Sequence, residues 1–211
     1  MADTGSGKVK TNLALPRSVN SSGWGLELVL VSLPDRLGHL VRLIAPDGSA
    51  SDLALASVED DAAQTWPSSP PLQSIHCELL PAGGTAALLV GMAGKSHWSA
   101  SMESLPGEGA LLFDFACRVR ETPLRLGTTY QVQSATRQSI VPSNIQRVSE
   151  VEVLLSLGEK SLRLSGEPAA THPSPRMELS SDSPGKINVS CQVNQITAAS
   201  TLRWRYRLAI E

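Results

Sequence analysis

The chain has few aromatic residues and no long apolar run. Aromatics are 4% of its 211 residues, against 41% hydrophobic residues overall, so a core must be built mainly from Leu, Val, Ala and Ile. The longest uninterrupted apolar run, Ala86 to Val90, is far short of the ~20 residues a helix needs to cross a bilayer. No window sustains a 3.6-residue apolar period, which removes amphipathic helices from the expected fold. Charge of one sign is lacking too. There are 18 Lys and Arg against 20 Asp and Glu, a net charge of −2, which offers neither nucleic acid nor an anionic membrane a general electrostatic hold. The cysteines, Cys77, Cys117 and Cys191, show no CxxC or Cys/His spacing, so no metal and no cofactor is expected. The opening MADTGSGKVKTN has no apolar segment of the kind that directs secretion, which predicts a cytoplasmic protein with reduced thiols. Its GSGK at 5–8 lacks the first glycine of a phosphate loop.

What is present is a series of short apolar stretches, many of them alternating, cut by turn residues at the roughly 8–12-residue spacing of sandwiches and barrels. Residues 1–12 read as a flexible tail. Residues 13–58 read as a meander with strands near 24–33, 39–45 and 52–58. Residues 59–71, EDDAAQTWPSSPP, break the pattern. Proline removes backbone donors and restricts its predecessor, so this segment reads as a loop or linker.

The remainder contains one pattern twice. HWSASME (97–103) and HPSPRME (172–178) share His-x-Ser-x-x-Met-Glu, and FDFACRV (113–119) answers INVSCQV (187–193). Residues 72–134 and 148–211 are therefore read as two internally repeated five-strand units, joined by the polar segment 135–146. The predicted architecture is an all-β, antiparallel β-sandwich, immunoglobulin-like or jelly-roll-like. The Cys–Trp–Cys framework of true immunoglobulin domains is absent.

Three places in this pattern could carry chemistry. Pairing Glu103 with Ala110 in the first repeated hairpin sets Ser99 opposite Asp114 and His97 opposite Ala116, with Arg118 on the same outer face. A serine, a histidine and an acid then share that face, making His97, Ser99 and Asp114 weak catalytic candidates. The second copy has Asn188 where the first has Asp114, there is no GxSxG elbow, and a flat sheet face supplies no oxyanion donors.

The last strand alternates most cleanly. Leu202, Trp204, Tyr206, Leu208 and Ile210 fall on one face; Arg203, Arg205 and Arg207 fall on the other. Such an arginine stripe suits carboxylates, phosphates or an acidic partner strand. Equally, charges on a solvated edge deter aggregation. Glu150 and Glu152 are the acids expected to offset it. Trp66, in the proline-rich segment, is the one aromatic without core-side phase; it either anchors its loop to the body or is the remaining candidate contact. These features predict a non-catalytic binding protein whose partner is another protein or an anionic group. The alternative is a carbohydrate-active or hydrolytic enzyme with its site between the repeats.

Overall fold

The computed structural model describes residues 12–61, 63–81, 83–134, 145–157, 160–168, 172–192 and 200–211. None of these is helical. Two short strands, β1 (Leu13–Ala14) and β2 (Ser18–Val19), flank a meander of β3 (Gly25–Ser32), β4 (Leu37–Ile44) and β5 (Ala50–Ser57). A second meander follows: β6 (Leu72–Leu79), β7 (Thr85–Ala93), β8 (Ser96–Leu105) and β9 (Ala110–Arg118), then β10 (Gly127–Ser134). The chain ends with β11 (Ile145–Ser149), β12 (Glu152–Leu157), β13 (Lys160–Glu167), β14 (Arg176–Leu179), β15 (Lys186–Ser190) and β16 (Thr201–Ile210).

Most strands lie where the alternation places them, and the exceptions have physical causes. β1, β2 and β11 are too short or too polar to show a period. β14 begins only at Arg176, because Pro173 and Pro175 before it cannot donate to a ladder. Of the predicted tail at 1–12 and the connection at 135–146, residues 1–11 and 135–144 lie outside the described residues.

The strands form one antiparallel sheet instead of the two packed sheets expected of a sandwich. Its order is β11-β12-β13-β16-β9-β8-β7-β6-β4-β5-β10-β15-β14, with β3 beside β4. The two ends approach one another, since the Met177 N–H in β14 donates to the Glu150 carbonyl beside β11 at 2.7 Å. The sheet is thus nearly closed into a barrel, which hides strand edges that an open sheet would expose. Crossed partners bring this about. β16 pairs with β9 and β10 pairs with β15, so each of these hairpins is completed by a strand from the other half. A single residue pair, Leu37 with Leu72, joins β4 to β6.

Inward-facing residues fill the interior. Phe115 stacks on Trp204 at 5.5 Å and Phe113 on Tyr206 at 5.1 Å. Trp66 is 8% exposed and lies 6.2 Å from Trp98. From Trp66 to Pro71 the proline-rich loop is buried. Its prolines allow that, because each lacks an N–H that would otherwise need a partner.

A line of polar groups also runs through the core. His39 Nε2 is 2.8 Å from the Tyr130 hydroxyl, which is 2.7 Å from that of Tyr206. Ser57 Oγ accepts the His39 N–H at 2.8 Å and donates to Glu59 at 2.6 Å. Burial alone holds the His39 imidazole neutral, its pKa pushed down to about 3. Burial also pushes the Glu59 carboxyl up to about 7.

Candidate functional site

The β8–β9 hairpin keeps its predicted face and changes its register. Leu105 pairs with Ala110, so Ser101 faces Asp114, Ser99 faces Ala116 and His97 faces Arg118. The difference is two residues, which leaves every side chain on the same side of the sheet. It arises in the turn. Gly107 and Gly109 both take positive φ, 78° and 58°, so residues 106–109 close it and β8 runs on to Leu105, further than expected. The predicted grouping of His97, Ser99 and Asp114 is consequently split. Asp114 is clasped through both oxygens by Arg203, with Nε 2.6 Å from Oδ1, while Ser101 donates to Glu103 at 2.9 Å.

The arginine stripe occupies the middle of the sheet, between β13 and β9, and is not an edge. Arg203 pairs with Asp114, Arg205 with Glu167 at 3.3 Å, and Arg207 with Glu108 at 2.7 Å. Each cation therefore already has its acid. The acids expected for this role are used elsewhere: Glu150 sits 3.7 Å from Arg176, and Glu152 pairs with Arg163. Trp66, the other predicted contact, is buried against Trp98 and offers no stacking surface.

Farther along the same outer face the situation changes. Leu88, Val90 and Met92 alternate along β7 and are 37%, 56% and 47% exposed. Their Cα positions span ~14 Å at about 6.8 Å per alternate residue. Their inward neighbours, Ala87 and Leu89, are fully buried. Beside this stripe runs a groove of about 460 Å³ whose walls include Gln73, Val90, Met92, His97, Ser99 and Arg118. A register shift between Leu72 and Ser74 forms one end. There the Gln73 amide accepts the Met92 N–H at 3.1 Å and donates to the Met92 carbonyl at 3.3 Å. Gly91, in the floor, is required: a Cβ there would lie 1.9 Å from the Pro71 carbonyl oxygen. Among the described residues, no carboxylate pairs with Arg118.

A second concavity of about 260 Å³ lies between β10 and β15. Its arginine, Arg125, is engaged by Ser68 Oγ at 3.1 Å and Thr129 Oγ1 at 2.8 Å.

Neither a protein-family model nor a curated protein matches the sequence. The chemistry of the β7–β9 face must speak for itself. It offers apolar contact along one strand, hydroxyl and imidazole groups on the next, and at the far side the Arg118 guanidinium, unpaired with any carboxylate among the described residues. His97, Ser99 and Arg118 were visible in the sequence; Leu88, Val90 and Met92 were not, because both phases of β7 are apolar and nothing marks which one is outside.

Proposed function

We propose that this protein is a non-catalytic binding protein, and that it captures a segment of another protein on the outer face of β7–β9. The observation that carries this reading is the Leu88–Val90–Met92 stripe, an exposed apolar row bordered by Arg118, which has no carboxylate partner among the described residues. Contiguous exposed apolar surface rimmed by polar groups marks contact sites. The occupant that fits has apolar side chains for Val90 and Met92 and a carboxylate for Arg118. The hydrolytic or carbohydrate-active alternative has less behind it, since Asp114 is held by Arg203 and stands opposite Ser101 instead of Ser99.

The reading includes the internal duplication and a reducing compartment. Duplication is supported by reciprocal pairing: β9 and β15, which correspond in the two copies, each pair with the last strand of the other copy, β16 and β10. A reducing, cytoplasmic setting suits the three free thiols.

A display selection of random peptides on the immobilised protein tests the binding reading. Enriched peptides should combine aliphatic or aromatic residues with Asp or Glu, and Val90→Asp should lose them. Equal enrichment on wild type and Val90→Asp would remove the proposal.

A further inference from the structure

Strand β6 has an open edge. It pairs with β7 along its length, but with β4 only through Leu72. Among the described residues, no strand covers its other side from Ser74 to Leu79. This edge also lacks the usual protections. Edge strands are normally very short, or carry lysine, proline or a bulge. β1 and β2 are two residues each, and prolines precede β14. Between Ser74 and Leu80 there is neither lysine nor proline, and the register shift lies before Ser74. The side chains that share a face with buried Leu89 and Ala87 run out past the core: Ile75 is half-buried, Cys77 is exposed and Leu79 is 83% exposed.

The direction of the free backbone groups follows from the hairpin. The Leu80 N–H donates to Gly84 at 2.8 Å and its carbonyl accepts from Gly83 at 2.9 Å, so Leu80 faces β7. Alternation then turns the N–H and C=O of Leu79, Cys77 and Ile75 to the open edge.

We infer that this edge binds the same edge of a second copy, β6 against β6, antiparallel about a two-fold axis at Cys77. That register sets Cys77 against Cys77 of the second copy, and Ile75 against the copy's Leu79. Each of these is a pair whose backbone groups both point outward, as a hydrogen-bonded antiparallel pair needs. On the opposite face it sets the His76 imidazole against the copy's Glu78 carboxylate, twice by symmetry. Shifting the axis to His76 would set imidazole against imidazole and Glu78 against Ser74, losing both the charge match and the Ile–Leu contact. The isologous, self-complementary pattern is what a two-fold interface requires. It would extend each sheet into its neighbour's and leave both β7–β9 grooves open.

Sedimentation velocity on the full chain tests this. Wild type should reach twice the 22.4 kDa chain mass with rising concentration. Cys77→Pro removes only an outward N–H, so it should sediment as a monomer with an unchanged circular dichroism spectrum. Should that variant misfold, charge reversal gives an independent reading. Glu78→Lys should weaken the dimer at least tenfold, and adding His76→Asp should restore it. A wild type that stays monomeric at its solubility limit, or a Glu78→Lys variant that dimerises like wild type, would overturn the inference. Neither result touches the peptide-binding reading, whose variants lie on β7.

Discussion

Two stretches of one sheet face behave in opposite ways. On β16, Arg203, Arg205 and Arg207 look conspicuous in sequence, yet each meets an acid on a neighbouring strand or turn. On β7, Leu88, Val90 and Met92 look like ordinary core residues, yet they stand exposed beside a guanidinium with no carboxylate among the described residues. A row of charges is therefore a poor marker of a site when its counter-charges come from elsewhere in the chain. An unmet interaction is the better marker, and only the tertiary pairing reveals it.

The contrast can be broken or sharpened by substitution, beginning with the largest effect. Gly91 ties the open face to the buried proline-rich loop, so Gly91→Ala should force Pro71 away and cost roughly 3 kcal/mol, the upper range for overpacking. Urea denaturation would measure it. A cost near zero would mean that the loop yields freely and the groove floor is not fixed.

The buried polar line that reaches β16 at Tyr206 should show in the pH dependence of stability. Glu59 has a folded pKa of about 7 against an ordinary 4.5. Its contribution is complete below pH 4.5 and is lost as pH rises through 7. His39 has a folded pKa of about 3 against an ordinary 6.5. Its contribution is complete above pH 6.5 and is lost as pH falls toward 3. Between pH 4.5 and 6.5 the two oppose each other. Removing one should unmask the other at up to about 1.4 kcal/mol per pH unit. Glu59→Gln should lose stability as the medium is acidified through that window, whereas His39→Gln should gain it. Parallel slopes for the two variants would contradict the assignment.

The smallest effect is expected on the closed stretch. Arg205 is partly exposed and paired with Glu167, and such pairs contribute about 1 kcal/mol or less. Arg205→Glu should lower stability by no more than that in the same assay.

The sequence made the strand positions and the inward phase of Trp98, Phe113, Phe115, Trp204 and Tyr206 legible, because a period of two survives any tertiary arrangement. It did not show that β10 and β16 cross to pair with β15 and β9, since strand order depends on long-range contacts that no local pattern encodes. The two-residue difference at Ser99 and Asp114 was invisible for a related reason: a shift of two preserves the alternation. At the site, His97 and Ser99 could be placed on an outer face. The burial of Trp66 was one of two readings open to the sequence, because a proline-rich loop has the same composition whether it lies in solvent or inside.

The most direct test is a side-by-side titration of one selected, fluorescently labelled peptide against wild type, Val90→Asp and Arg205→Glu, read by anisotropy. If the open β7–β9 face is the binding surface, Val90→Asp loses affinity at least tenfold while Arg205→Glu binds as wild type does. If Arg205→Glu abolishes binding and Val90→Asp leaves it intact, the arginine stripe is the site and the reading of these two stretches is reversed.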